Sequence, residues 1–444
     1  MANTAGMSQS GAGTVNLSRI FTTWWPLAAS WLLMSAELPA ISAVLARLSD
    51  AEVHIASYGA VVFPISLIVE APVIMLLAAS TALSRDWSSY VKLRRYMHAM
   101  GGVLTALHVL IAFTPLFDII VEQVLQIPPK LVEPSRMGLM IMTPWSWSIA
   151  YRRFNQGVLI RYGQSKVVSI GTFLRLFADA SVLAIGYWIG SIPGIIVATS
   201  AVATGVLVEA AFVGLRVRPV LRDRLRKESE VEDHLTLKAF ISFYSPLAAT
   251  SLLMLSVQPA CSAALSRMPG ALASLAVWPV VGGLMFTMRS LGHAFQEVVV
   301  ALLDEPGSER EIRRFAWGLT LLTTSLLILL ASTSLSAVWF VGVSGLVPEL
   351  GDLAGAAIWF GILLPGLCPL QNLYQGILVH RKQTRSITES VVVFLCVCGG
   401  LLLAGVRWAP FTGIYVALTA FSLGALSQVL WLAWRSAHQS TSNS

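Results

Sequence analysis

The sequence predicts an all-α membrane protein of about twelve transmembrane helices, arranged as two parallel six-helix lobes related by a pseudo-two-fold axis along the membrane normal. Three observations carry this prediction. Of 444 residues, 56% are hydrophobic and 12% charged, where a soluble domain carries about 25% charged residues. Apolar runs of about 20 residues, long enough to cross roughly 30 Å of hydrocarbon, recur along the chain. The chain also repeats itself: "PLAASWLLM" (Pro26 to Met34) returns 220 residues later as "PLAATSLLM" (Pro246 to Met254), and Pro26 to Arg47 matches Pro246 to Arg267 at 13 of 22 positions.

The predicted spans are 20–46, 53–83, 97–126, 137–160, 166–189 and 193–216, then 239–266, 271–303, 314–343, 354–379, 387–406 and 411–434. An offset of 219 aligns "FTPL" (Phe113 to Leu116) with "STSL" (Ser332 to Leu335), and "NQGVLIRYGQSK" (Asn155 to Lys166) with "YQGILVHRKQTR" (Tyr374 to Arg385). The duplication therefore spans whole halves. Six helices per half bring both copies into the membrane in the same direction, which makes the repeat parallel. The division is a disordered cytoplasmic tail (1–19), an N-lobe (20–217), a charged cytoplasmic linker (218–237), a C-lobe (238–436) and a short cytoplasmic tail (437–444).

The net charge of +7 sits in alternate loops. Arg85, Lys92, Arg94 and Arg95, then Arg216 through Lys227, then Arg381, Lys382 and Arg385 all follow even-numbered helices. That pattern sets topology rather than nucleic-acid binding, and it places both termini in the cytoplasm of a multi-pass inner-membrane protein. Cys261, Cys368, Cys396 and Cys398 fall inside predicted helices and read as small apolar core residues, not disulfides. No phosphate-binding G-x-x-x-x-G-K-[ST] loop occurs, so any transport runs on an ion gradient, the membrane potential or the substrate's own gradient. No metal-ligand spacing and no cofactor motif are found, and lone His108 reads as a packing residue.

The "P-L-A" start of predicted helices 1 and 7, the duplication and the central linker resemble the multidrug/oligosaccharidyl-lipid/polysaccharide flippase superfamily, which includes the multidrug and toxin extrusion (MATE) transporters. Within it, "ASYG" (Ala56 to Gly59), "FYSPLA" (Phe243 to Ala248) and "LIAFTPLFDII" (Leu110 to Ile120) are similar to the progressive ankylosis protein family. The resemblance implies alternating access around a site between the lobes, and export of anions such as pyrophosphate, nucleotides or citrate.

Charged side chains cost at least about 2.5 to 3.5 kcal/mol each at the centre of a membrane helix, so those present mark function or a buried partner. Predicted helix 8 aligns Arg289, His293, Gln296 and Glu297 along one face, either beside a cavity or as a self-neutralising ladder. Predicted helix 4 carries Arg152, Asn155 and Gln156, whose repeat-mate segment holds Gln371 and Asn372. Guanidinium groups suit carboxylate or phosphate, although Arg152 is equally a partner for a carboxylate of predicted helix 5 or 2. Arg175 and Asp179, at i and i+4, are expected to pair with each other. Asp118 and Glu209 are read as shallow, solvated or paired.

Glu37, which faces Val257 in the repeat, and Glu70, beside Pro72, stand alone in their helices. Each is a coupling or gating carboxylate, as is Glu297, or else the counter-ion of Arg152 or Arg289. The expected function is export of an organic or phosphate-bearing anion by a monomeric secondary transporter in the bilayer, with H+ or Na+ as coupling ion. Arg152, Arg289 and His293 would bind the anion, with Asn155, Gln156, Gln296, Gln371 and Asn372 as hydrogen-bonding partners in a basic central cavity. A multidrug exporter and a flippase for a lipid-linked precursor are the alternatives within that class. A membrane-embedded transferase is disfavoured, because the outward loops are short and poor in His and Asp.

Overall fold

The computed structural model describes residues 16–229, 235–303, 305, 307–381, 383–408 and 410–438. The expected tails at residues 1–15 and 439–444, the centre of the linker at 230–234, and Lys382 lie outside the described residues. All regular structure among the described residues is helical. The first half contains α1 (Leu17–Leu45), α2 (Ala51–Leu83), α3 (Trp87–Phe113), α4 (132–161), α5 (Ser165–Ile189) and α6 (Gly194–Lys227). The second contains α7 (Leu237–Leu265), α8 (Ala271–Leu302), α9 (Ser308–Ser332), α10 (Pro348–His380), α11 (Arg385–Trp408) and α12 (Gly413–His438).

Eleven of these are long and apolar enough to cross a membrane. The exception is α4, which is interrupted around Thr143-Pro144 and whose helical part, Trp145–Arg161, carries Arg152, Arg153 and Arg161. Burial differs between the helices. Half or more of the apolar window is buried in α2, α6, α8, α10 and α12, whereas α1, α3, α5, α7, α9 and α11 turn most of theirs outward. Outward apolar side chains such as Phe173, Phe177, Leu321 and Leu403 suit lipid, which leaves helices as the means of satisfying every backbone polar group.

Three boundaries differ from expectation. The third and ninth helices start ten and six residues early and stop at Phe113 and Ser332, where Thr114 and Thr333 turn extended. The apolar stretches after them, which hydropathy merges with the helix, form separate short turns ending in π-helix at Ile119–Val124 and Val338–Val343. The expected linker at 218–237 begins inside α6, helical to Asp223.

The repeat is written into contacts as well as letters. Asp50 (φ 49°) and Gly270 (φ 68°), 220 residues apart, make the same left-handed turn before α2 and α8. Beyond that point the equivalence falls to 219, because α2 contains a π-helical turn at Ser57–Val62 that α8 lacks, and a π turn accommodates one extra residue. Both helices then break at equivalent residues, Met75 and Ala294. Gly157 packs on Leu77 and Ser80 as Gly376 packs on Gln296 and Val299, and Gly186 meets Val197 as Gly405 meets Val416.

The halves hold each other by reciprocal bonds. Packing runs α1 against α8 and α7 against α2. Trp24 Nε1 donates to the Leu291 carbonyl at 2.8 Å, and its counterpart Tyr244 donates through its hydroxyl to the Pro72 carbonyl. Arg47 reaches the carbonyls of Gly342 (2.7 Å) and Val343 (3.0 Å), while Arg267 reaches those of Val124 and Leu125 (3.5 Å). The identity of Arg47 with Arg267 thus reflects a shared cap on the other half's π turn, one of the last turns that would otherwise leave carbonyls free.

Close approach makes one glycine prediction sharp. A Cβ on Gly157 overlaps both Ser80 Oγ and the Leu77 carbonyl, whereas on Gly376 it meets Val299 Cβ at 2.7 Å and on Gly318 nothing within 4 Å. Backbone gives way less than side chain, and overpacking costs about 1–3 kcal/mol. Thermal unfolding midpoints in detergent should therefore fall most for Gly157→Ala, less for Gly376→Ala, and not fall for Gly318→Ala, a helix-interior change that removes unfolded-state freedom. Equal effects at Gly157 and Gly318 would contradict this packing.

Candidate functional site

A cavity of about 570 Å³ lies between α1, α2, α4, α5 and α6 of the first half, with Leu255 of α7 and Phe286 of α8 completing its wall. Two of its carboxylates, Glu37 and Glu70, sit beside local irregularities of their helices. Pro39 lacks an N–H, so the Ser35 carbonyl has no intrahelical partner; α1 breaks at Ala36, and Thr287 Oγ1 donates to Ser35 at 3.5 Å. Glu37 then starts the next helical piece and turns toward α5. Glu70 sits in α2 between its π turn and the break at Met75, and Arg152 and Arg153 share one turn of α4, with Gln156 on the next.

Glu209, from α6, is the centre. Fully buried, it pairs with Arg152, accepts from Gln156 Nε2 at 2.9 Å and Thr172 Oγ1 at 3.4 Å, and lies 3.5 Å from Arg175 Nε. Arg175 in turn grips Glu37 with both terminal nitrogens, at 3.0 and 2.8 Å. The ladder Glu37–Arg175–Glu209–Arg152 thus crosses four helices. Bidentate guanidinium–carboxylate geometry of this kind compensates for the desolvation of both ions. Arg153 and Glu70 also line the cavity, with Arg153 Nε and Glu70 Oε2 buried and without hydrogen-bond partners.

This arrangement corrects four expectations. Arg175 is not the partner of Asp179: the broken α1 brings Glu37 onto it, and Asp179, one turn on, lies against Gly205 with neither carboxylate oxygen hydrogen-bonded. Glu209 is not solvated but fully buried, and of its two expected states the paired one holds. Arg152 does find a carboxylate, but on α6 rather than on helix 5 or 2. The cavity is not basic, because the guanidiniums of Arg152, Arg153 and Arg175 meet Glu37, Glu70, Glu209 and adjacent Asp179. Spacing within one helix reveals only partners on that helix. A signal for Glu209 did exist: its repeat-mate is Gln428, so the position is polar in both halves of otherwise apolar helices.

The expected stripe on helix 8 separates. The break at Ala294 leaves Glu297 exposed, away from Arg289, and places Gln296 against Gly376 through its backbone carbonyl. His293 packs between Trp31 and Phe286 (ring centroids 5.2 and 5.8 Å) with Cys368 Sγ 3.8 Å from Nδ1. Asn155 and Asn372 each spend their amide on a carbonyl one turn back, those of Tyr151 and Cys368, both at 2.9 Å. His108 satisfies Ser146 and the Leu139 carbonyl, a packing role.

Arg289 and Gln371 do meet. They line a cavity of about 160 Å³ in the second half, with Gln258 and Gln428. Gln258 and Arg289 also line an adjoining cavity of about 190 Å³ between the halves, walled by Phe63, Trp278 and Phe286. Neither cavity contains a carboxylate, and Arg289 makes no ion pair among the described residues. Its Nε is buried without a hydrogen-bond partner among the described residues.

No family model matches the chain, and no curated protein does. Solved structures do match. An inward-facing multidrug resistance MATE family transporter superposes with a TM-score of 0.68 at 14% identity, covering 95% of this chain and 99% of that one. The lipid II flippase MurJ in an inward closed conformation gives 0.71 at 14% identity, with 92% and 87% covered. The chain has a MATE-like fold. A third match, 0.61 at 13% identity over 97% and 99%, is a flippase-superfamily transporter from Pyrococcus furiosus described as having a binding pocket of reversed polarity. In this MATE-like fold the two halves also differ in polarity: one cavity holds a closed network of acids and arginines, the other an arginine among amides.

Proposed function

We propose that this protein is a secondary transporter that exports an organic or phosphate-bearing anion by alternating access. The halves at 20–217 and 238–436 would rock as lobes joined by the segment 218–237, in a cytoplasmic membrane with both termini inside. One observation carries the anion reading: Arg289 lines a cavity between the halves in which no carboxylate neutralises it. A buried guanidinium in that setting favours an anion that supplies the missing charge. The arginine bias of alternate loops supports the orientation, and the short motifs similar to the progressive ankylosis protein family support an organic anion. Glu37, Glu70 and Glu209 are the coupling residues in this reading, since a proton or Na+ arriving at the ladder competes with Arg175 and Arg152 for the carboxylates and loosens contacts between α1, α5 and α6. The likeness of the fold to solved MATE and MurJ structures supports this reading.

Wild-type protein in proteoliposomes tests the substrate sign. Radiolabelled citrate, pyrophosphate and phenylacetate, each offered separately, should show at least one saturable flux above empty vesicles, while the cation ethidium should not. Saturable ethidium flux with no anion flux would overturn the reading.

A further inference from the structure

The internal repeat allows one cavity to be read against the other. The glycine contacts fix the equivalence at 219, and it carries Glu70 onto Arg289, Arg152 onto Gln371, Arg175 onto Phe394 and Glu209 onto Gln428. Asp179 becomes Cys398, and both are the residues that a Cβ on Gly205 or Gly424 meets. Glu37, under the earlier offset, becomes Val257. The second-half cavity is thus the counterpart of the charged one, stripped of every ion pair and given a single cation at the position where the first half holds an acid.

We infer that this Arg289 cavity, which shares Arg289 and Gln258 with the adjoining aromatic cavity between the halves, is built for an amphipathic monoanion: one carboxylate on an aromatic or branched aliphatic body. The inference rests on the proposed transport of an organic anion and narrows its substrate. Arg289 offers one positive charge, and Gln258, Gln371 and Gln428 offer hydrogen bonds without charge. A second or third negative charge on the ligand would find no cation there, and an unpaired charge in a buried site is expensive. The neighbouring cavity has no cation to spare: it shares Leu38, Phe63 and Phe286 with the cavity between the halves, and its three lining carboxylates, Glu37, Glu70 and Glu209, match its three arginines. The remaining walls are apolar: Val391, Phe394 and Phe421 around the anion group, Phe63, Trp278 and Phe286 around the body. A cavity of about 150 Å³ holds a benzene ring, and the two cavities, about 160 and 190 Å³, each match one such unit.

Calorimetric titration of the purified full chain in detergent tests this with four probes: phenylacetate, phenethylammonium, citrate and pyrophosphate. Phenylacetate should bind at least tenfold tighter than the other three. Arg289→Gln should weaken it tenfold or more, and so should Gln428→Glu, which introduces a carboxylate of nearly unchanged size; both variants are compared after confirming wild-type elution and unfolding midpoint. If Arg289→Gln fails that check, Gln428→Glu alone decides. Citrate or pyrophosphate binding tighter than phenylacetate would overturn the monoanion class while leaving anion transport intact. Tighter binding of phenethylammonium would overturn both readings. Undetectable phenylacetate binding, or binding that survives in the folded variants, would overturn the site, with vesicle flux deciding the transport reading separately.

Discussion

Glu209→Ala is expected to destabilise the protein by about 3–5 kcal/mol, the range for removing one partner of a buried ion pair. The reason is geometric. Glu209 is the acceptor for Arg152, Gln156 and Thr172 and a neighbour of Arg175, and truncation strands the Arg152 guanidinium in a cavity it cannot leave. The second half shows the remedy, because Gln371 and Gln428 stand where the first half has Arg152 and Glu209. The double variant Arg152→Gln/Glu209→Gln should consequently recover most of the loss, with Arg175 still held by Glu37. Unfolding midpoints for the two single glutamine variants and the double variant form a cycle whose coupling should be large. Additive losses would mean that the ladder does not act as a unit.

The second large effect is functional. Arg289→Ala is expected to reduce anion flux by 100-fold or more with little loss of stability. Truncating Arg152 breaks an ion pair, but truncating Arg289 removes a charge that no carboxylate of the described residues balances. Arg289→Lys keeps the charge but not the planar fork, and should retain part of the flux. Flux in proteoliposomes, normalised to protein that elutes as wild type, measures both. A flux change in Arg289→Ala that tracks its loss of folded protein would assign Arg289 to structure.

Much of the architecture was legible in the letters, and the reason is physical. Apolar run length is imposed by the bilayer, and the duplication is retained where the two halves make the same contact, as at Arg47 and Arg267. The change of offset from 220 to 219 was also visible, but its cause, a π turn in α2, is a backbone feature without a residue signature. The boundaries at Phe113 and Ser332 were missed because the chain stays apolar after it has stopped being one helix. The site was less legible still. Arg175 has an acid one turn away, yet pairs with Glu37, 138 residues distant in sequence, because a break in α1 re-aims that side chain. Glu209 was undervalued for the same reason: its partners lie on α4 and α5, where no spacing rule reaches.

The division of labour between the halves, ion ladder in one and anion site in the other, is tested most directly by one comparison of transport. Initial anion flux is measured in proteoliposomes containing wild type, Arg289→Ala, or Arg152→Gln/Glu209→Gln, at matched amounts of folded protein. Flux near zero is expected for Arg289→Ala, and for the double variant a flux that persists with altered dependence on the proton or Na+ gradient. Full flux through Arg289→Ala, together with none through the double variant, would place the anion at the first-half arginines and contradict it.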